Sequence, residues 1–175
     1  ARYQASYISE LMNIKKIIVW GRDSLKANEV KNDLSDLDVT IETDLEKIVK
    51  ESRLIITTTS SKEPLIQSDW IKSGTHITAV GSDTPEKCEL DPNILSRADL
   101  IVADSKEQNL IRGEIHQAIK RSLIDTESVV ELGEIFSGLK QGRVNKDSIT
   151  IADLTGVAVQ DLVIAESVFK AYSAS

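Results

Sequence analysis

Cysteine and histidine are scarce in this chain. Cys88 is the only cysteine among 175 residues, so an internal disulfide framework is excluded and a zinc cluster is not expected. Cysteine is more often a small buried hydrophobe than a nucleophile, which makes Cys88 a weak catalytic candidate. The two histidines, His76 and His116, show neither a Ser/His/Asp arrangement nor metal-ligand spacing. A hydrolase or a metal centre therefore has no support in the sequence.

An excess of positive charge and long hydrophobic runs are also missing. The formal net charge is −7 at pH 7, with acidic and basic residues mixed along the chain. No basic stripe is present that would indicate nucleic-acid binding. No apolar run approaches the length of a membrane span, and the first residues do not have the pattern of a signal peptide. We therefore expect a cytoplasmic protein with neither a nucleic-acid partner nor a membrane partner.

The residues that are present fit one domain with a buried core. Short apolar runs alternate with stretches of helical periodicity along the chain. The predicted strands are 17–20, 39–41, 54–57, 77–80, 100–103 and 149–152. The main predicted helices are 1–12, 25–34, 44–51, 92–96, 105–111, 114–121, 131–139 and 157–172. This alternation predicts an α/β fold with a Rossmann-like, doubly wound parallel sheet.

The stretch 77–90, ITAVGSDTPEKCEL, is the most informative part of the chain. An apolar run ends at Gly81, which can take backbone shapes that residues with a Cβ resist, and a polar loop follows. Ligands of open α/β sheets lie beyond the carboxyl ends of strands, where Asp83 and Lys87 form a close acid–base pair. A carboxylate beside a cofactor can accept a proton during hydride transfer. The alternative is a solvated turn with two exposed charges.

A second candidate is the turn after the strand 17–20, which reads GRDS. In dinucleotide-binding folds an acid at the end of the second strand binds the adenine ribose, whereas an Arg nearby accommodates a 2′-phosphate. Gly21 stands where the acid is expected and Arg22 follows, which favours NADP slightly over NAD. Asp23 would repel a phosphate, however. The alternative is an ordinary surface turn in which Asp23 or Ser24 caps the next helix.

Hydroxyl side chains end the strand 54–57. Thr57, Thr58 and Thr59 would lie at the edge of the sheet where a cofactor binds, and their hydroxyls could contact a nicotinamide ribose or the phosphates. Threonine is also common in strands and turns for packing reasons, so both interpretations stay open.

Several segments together resemble, in order and spacing, the ornithine cyclodeaminase/mu-crystallin family. The matching segments are 56–66, 70–92, 98–104, 113–116, 131–134, 142–143 and 149–165. The WGRD turn and the GSD loop look most like the ectoine-utilisation branch. The resemblance implies a homodimeric enzyme whose Rossmann domain holds NAD(H) or NADP(H), paired with a separate domain for substrate and dimerisation.

The resemblance also implies roles for individual residues. Asp83 takes the position of the family's catalytic aspartate, which also meets the substrate, and Thr155 falls where the family's backbone contacts the substrate. The residues at cofactor-contact positions are Thr57, Val80, Gly81, Ser82, Lys87 and Leu154. Arg22 joins them as the predicted reader of the 2′-phosphate.

The activity implied is NAD(P)-dependent chemistry at the C–N bond of an amino acid or imine. Family members cyclise amino acids with loss of ammonia, dehydrogenate amino acids, or reduce cyclic and open imines. The alternative is a non-catalytic protein that binds NADP(H) or another small ligand, like mu-crystallin. An aspartate at position 83 favours the enzyme.

Two departures from the family pattern limit the expectation for this chain. The family's Gly-x-Gly-x-Gln-Ala loop should precede or overlap Ala1 and Arg2, and it is absent together with the first strand and the N-terminal substrate domain. We therefore expect residues 1–156 to be an N-terminally incomplete Rossmann domain and 157–175 a helix that packs towards the missing domain. Such a fragment is expected to be inactive alone. The absent strand would be central, leaving its neighbours with unpaired edges.

Overall fold

A computed structural model of the chain describes residues 1–173 and has an α/β fold with parallel strands, which confirms the predicted fold class. The strands are β1 (Lys16–Val19), β2 (Asp38–Ile41), β3 (Leu54–Thr57), β4 (His76–Ala79), β5 (Leu100–Ala103), β6 (Val129–Glu131) and β7 (Thr150–Asp153). The helices are α1 (Arg2–Met12), α2 (Ser24–Asp33), α3 (Leu45–Glu51), α4 (Asn93–Ser96), α5 (Lys106–Asn109), α6 (Gly113–Lys120), α7 (Leu132–Phe136) and α8 (Ala158–Ser173). Two 3₁₀ turns cover Ser68–Trp70 and Thr126–Ser128.

The strands form two sheets, one of two strands in the order β1-β2 and one of five in the order β3-β4-β7-β5-β6. In the larger sheet the last residues of all five strands stand in one row across the sheet. They are Thr57, Ala79, Asp153, Ala103 and Glu131. Because parallel strands end at the same edge, the polar segments that follow them are gathered there.

The core lies around β7, the central strand of the larger sheet. Ile151 pairs with Ile77 on β4 and with Ile101 on β5, and all three side chains are buried. Strands that are covered on both faces read as continuous apolar runs, which is why β4, β5 and β7 were visible in the sequence.

One strand was missed by the sequence prediction. The predicted helix 131–139 is too long at both ends, because Glu131 belongs to β6 and α7 covers only Leu132–Phe136. The carboxylate of Glu134 accepts a hydrogen bond from the Glu131 N–H at 2.9 Å, which fixes the start of the helix. A three-residue edge strand is too short to produce a recognisable period in the sequence.

A cleft of about 530 Å³ separates β1 from β3. Both strands and the inner side of α1 line it, including Ala5 and Ile8 from the helix. Among the described residues, β1 pairs only with β2, and β3 pairs only with β4, so each strand has an open edge towards the cleft. This arrangement agrees with the expectation that neighbours of an absent central strand have unpaired edges.

The last helix, α8, contacts little of the domain. None of its residues is buried, and Leu162, Ile164 and Phe169 are exposed. Its predicted packing towards another domain stays a prediction, and residues 174 and 175 of the predicted segment 157–175 lie outside the described residues. No helix in the described part of the chain is long and apolar enough to cross a membrane. A cytoplasmic location also stays a prediction.

The central place of β7 can be tested with Ile151→Ala. Because Ile151 is 0% exposed, we expect the substitution to lower the free energy of unfolding by about 2–5 kcal/mol. The matched control is Ile111→Ala at a side chain that is 62% exposed, where a change within about 0.5 kcal/mol is expected. Urea unfolding of both variants measures the difference. Similar losses in the two variants would contradict this description of the core.

Candidate functional site

Three of the predicted cofactor-contact residues lie side by side at the carboxyl edge of the larger sheet. The Val80 N–H donates to the Thr57 carbonyl at 2.9 Å, and the Leu154 N–H donates to the Ala79 carbonyl at 2.8 Å. Thr57 therefore ends β3 next to Val80, which follows β4, while Leu154 follows β7 on the other side of β4. The structure brings these three residues together as the sequence suggested.

The hydroxyl of Thr57 is a candidate ligand contact. Its side chain is buried, and its Oγ1 has no hydrogen-bond partner in the described part of the chain. A buried polar atom left unpaired costs about 1–3 kcal/mol, so native proteins rarely leave one without a partner. A nucleotide bound across the strand ends would supply that partner.

Gly81 starts the loop after β4, and the reason for a glycine here differs from the one expected. Its φ angle does not lie in the left-handed region, so no special backbone shape is required. An added Cβ would instead lie 2.0 Å from the carbonyl oxygen of Thr59 and 2.6 Å from the carboxylate carbon of Glu89. Gly81 is needed because two neighbouring groups approach its α-carbon closely.

Asp83 and Lys87 form the ion pair that the sequence predicted. Lys87 Nζ donates to Asp83 Oδ1, while 54% of the Asp83 side chain stays exposed. The hydrogen bond from Lys87 holds the pKa of Asp83 below its usual value, and the positive charge of Arg112 acts in the same direction. Asp83 is thus an ionised, accessible carboxylate at the strand ends.

Arg22 lies near the same edge but belongs to the turn after β1. Its guanidinium donates to the hydroxyl of Ser61 at 3.0 Å, which joins this turn to the loop after β3. Asp23, not Ser24, caps α2: its Oδ1 accepts from the Leu25 N–H at 2.9 Å. The N-terminus of a helix carries partial positive charge, which offsets part of the negative charge of Asp23. Asp23 is therefore expected to repel a phosphate at Arg22 less strongly than a free carboxylate would.

Thr155 follows β7 and is turned towards Asp104. Its hydroxyl lies 3.4 Å from Asp104 Oδ1, and the Gly156 N–H donates to Asp104 Oδ2 at 2.7 Å. The side chain of Thr155 is therefore engaged within the domain. The role predicted for this residue, a contact with substrate through the backbone, stays a prediction.

Four acidic residues at this edge were not predicted from the sequence: Glu89, Asp104, Glu114 and Asp153. All of them except Asp104 are at most 1% exposed. Asp104 and Asp153 could have been noticed, since each stands where an apolar strand ends. Glu89 and Glu114 gave no signal, because their importance comes from loops that meet only in the folded chain. In the range 1–173, no three His, Cys, Asp or Glu residues form a group able to hold a metal ion.

Asp153 connects the central strand to α6. Its Oδ2 accepts a hydrogen bond from the Ile115 N–H at 2.8 Å, in the first turn of the helix. Gly113 has a φ of +90°, and a Cβ there would lie 2.5 Å from Asp153 Oδ2, so only glycine fits. Burial raises the pKa of Asp153 well above its usual value, and the negative charges of Glu114 and Asp104 add to the effect.

Comparison with known proteins agrees with this arrangement. The family model described as "Ornithine cyclodeaminase/mu-crystallin family" matches residues 1–175. The chain belongs to this family. An uncharacterised cyclodeaminase of Sinorhizobium fredii is 38% identical over 174 residues, which cover 97% of this chain and 53% of the relative. The ketimine reductase mu-crystallin of Mus musculus is 32% identical over 169 residues, covering 94% of this chain and 50% of the relative.

A solved member of the family has the same fold. An archaeal alanine dehydrogenase dimer with bound NAD superimposes with a TM-score of 0.89 at 33% sequence identity, covering 96% of this chain and 52% of that one. The chain thus spans about half the length of the relatives it matches. The ornithine cyclodeaminase/mu-crystallin family is confirmed, while the ectoine-utilisation branch stays a prediction.

The buried carboxyl of Asp153 predicts a pH-dependent stability difference. The pKa of Asp153 in the folded chain lies above its value of about 4 in the unfolded chain. The stability that this group contributes to the folded chain is therefore fully present below about pH 4, and it is lost as the pH rises through the folded pKa. The amide of Asp153→Asn does not titrate, so the stability of this variant does not fall in this way as the pH rises. From pH 4 to pH 8, the free energy of unfolding of the variant should rise relative to the native chain by about 1 kcal/mol or more.

Urea unfolding across that pH range measures the difference. The control is Asp36→Asn at an exposed carboxylate, which should show no such trend. A difference between the Asp153 variant and the native chain that stays constant with pH would contradict a raised pKa.

Proposed function

We propose that this chain forms the nucleotide-binding half of an NAD(P)-dependent enzyme that acts on the C–N bond of an amino acid or imine. The observation that supports the proposal is the state of the Asp83 side chain. It is an ionised and exposed carboxylate held beside Lys87 at the carboxyl edge of the sheet. Family membership supports it, since the relatives named above are a cyclodeaminase, a ketimine reductase and an alanine dehydrogenase.

In this proposal the nucleotide lies across the strand ends. The unpaired hydroxyl of Thr57 donates to it or accepts from it. When bound, the nicotinamide supplies or accepts the hydride. Asp83 accepts the proton that the substrate nitrogen releases as the C–N bond is oxidised, and it returns a proton in the reductive direction. Lys87 keeps Asp83 ionised before that transfer.

We further propose that a strand from the rest of the intact protein, meaning the complete polypeptide in which these residues occur, fills the cleft between β1 and β3. Two open, parallel strand edges face this cleft, and the relatives are about twice as long as this chain. A glycine-rich turn after that strand would offer backbone N–H groups to the pyrophosphate. On this basis residues 1–175 alone are inactive.

The second domain and the partner subunit belong to the same proposal. The exposed apolar side chains of α8 are suited to contact a substrate domain in a homodimer, and the archaeal alanine dehydrogenase is a dimer. The alternative of a non-catalytic ligand-binding protein is not favoured. The mu-crystallin of Mus musculus is itself named a ketimine reductase.

The cofactor proposal, NADP slightly over NAD, rests on Arg22 and can be tested with Arg22→Ala. In the intact protein, quenching of Trp20 fluorescence should report binding of the nucleotide, because Trp20 directly precedes the turn that contains Arg22. We expect the affinity for NADPH to fall about tenfold or more, since a charged hydrogen bond to phosphate contributes about 1.5–3 kcal/mol. The affinity for NADH should change less than about twofold on the same reasoning.

Lys31→Ala, at the far end of α2, is the control with the same loss of charge. It should leave both affinities unchanged. Equal losses for the two nucleotides in Arg22→Ala, or a native preference for NADH, would contradict the role of Arg22 and the choice of NADP.

The role of Asp83 can be tested with Asp83→Asn in the intact protein. Loss of a proton acceptor should lower kcat for oxidation of amino acids by about 10²–10⁴-fold. Binding of the nucleotide should change little, because the amide keeps the shape of the side chain. Asp69→Asn, at an exposed carboxylate in the 3₁₀ turn Ser68–Trp70, is the control and should retain full turnover. Turnover retained by Asp83→Asn would remove Asp83 from the reaction.

A further inference from the structure

Glu89 is a buried carboxylate at the base of the loop that carries Asp83. Its side chain is fully buried. Oε2 accepts a hydrogen bond from the Gly81 N–H at 3.0 Å, and Oε1 accepts one from the Thr59 N–H. Glu89 therefore connects the start of the 81–90 loop to the segment that follows β3. Because Glu89 itself lies near the end of the loop, it also connects the two ends of the loop to each other.

Glu114, in the first turn of α6, holds the same loop from the other side. It is also fully buried. Its Oε1 accepts from the hydroxyl of Ser82 and from the Glu89 N–H at 2.7 Å. Its Oε2 accepts from the Leu90 N–H at 3.2 Å and lies 3.7 Å from the thiol of Cys88. One carboxylate thus connects both ends of the loop to a helix.

The groups around these two carboxylates are hydrogen-bond donors. Burial and the nearby charge of Glu114 raise the pKa of Cys88 to about 12, so its thiol keeps its proton. The thiol lies 3.2 Å from the Leu90 carbonyl oxygen and 3.7 Å from Glu114 Oε2, and it can donate to either. A buried carboxylate surrounded by donors is satisfied only if both of its oxygens accept. An amide of the same size would present an NH₂ group to one of those donors.

No other tie of this kind holds the segment before Asp83. Among the described hydrogen bonds, no N–H of residues 81–83 donates to a backbone carbonyl. The partners of Gly81 and Ser82 are Glu89 and Glu114 instead. The position of Asp83, one residue further on, therefore depends on these two buried side chains as well as on its ion pair with Lys87.

We propose that Glu89 and Glu114 are positioning residues that fix Asp83 for proton transfer, an inference that rests on the proposed function of Asp83. Neither acts on substrate or nucleotide. Glu114 acts through Ser82, and Glu89 acts through Gly81. Because a misplacement of about 1 Å can lower a rate about 10²-fold, two buried hydrogen bonds at this point are sufficient to control turnover.

The test uses Glu114→Gln, Ser82→Ala and the double variant in the intact protein. We expect each single substitution to lower kcat about tenfold or more, while KM for the amino acid changes less than about threefold. The double variant should be no slower than Glu114→Gln, because both substitutions disturb the same contact between residue 82 and residue 114. Losses that multiply in the double variant would overturn the proposal, as would an unchanged kcat in Glu114→Gln.

Two controls separate positioning from general effects. Glu107→Gln makes the same chemical change at an exposed residue of α5, and Val39→Ala destabilises a buried position of β2, in the smaller sheet. Both should keep kcat at a temperature where they are folded. Amide hydrogen exchange of residues 78–84 should be faster in Glu114→Gln than in Glu107→Gln. Equal exchange would overturn the proposal, and Ser82→Ala provides this measurement should Glu114→Gln not fold.

Asp83→Asn, measured beside these variants, separates the two proposals. A slow Asp83→Asn with a fully active Glu114→Gln overturns the positioning role and leaves the proposed function supported. An active Asp83→Asn overturns the proposed function, and with it any positioning that acts through Asp83.

Discussion

The parallel, in-register pairing of β4, β7 and β5 is the constraint on which the rest of the site depends. Because Ala79, Asp153 and Ala103 end their strands in one row, the segments that follow begin at one edge. The 81–90 loop, the turn after β7 and the start of α6 can then exchange hydrogen bonds. A shift of any strand by one residue would turn its side chains to the opposite face and break these contacts.

The edge of the sheet that forms the candidate site concentrates buried carboxyl groups. Glu89, Glu114 and Asp153 are all removed from solvent, and burial raises the pKa of both Glu114 and Asp153. Each carboxylate is offset by N–H or hydroxyl donors supplied by a loop or a helix start. Asp83 differs from them, because it is exposed and its charge is matched by Lys87. Structural and reactive carboxylates are thus distinguished by exposure and by the kind of partner they have.

The sequence predicted the fold class, six of the seven strands and the Asp83–Lys87 pair, because these depend on local patterns. Apolar runs mark strands, and four residues separate Asp83 from Lys87 within one loop. The strand β6 was missed because three residues carry no period. Glu89 and Glu114 were missed because their partners, Thr59, Ser82 and Leu90, are brought to them by tertiary structure. The reason for Gly81 was also misjudged, since the close approach of the Thr59 carbonyl and the Glu89 carboxylate leaves no mark in the sequence.

The position of β7 has a consequence for the order in which the domain can form. β4 and β5 are separated by about 20 residues in sequence, yet they do not pair with each other, because residues 150–153 lie between them. During synthesis the two strands emerge from the ribosome well before the strand that joins them. Without β7, the strands of the larger sheet pair only as β3 with β4 and β5 with β6. The edge that carries the candidate site is therefore complete only once the segment that ends in Asp153 joins the two pairs and accepts the hydrogen bond from the Ile115 N–H of α6.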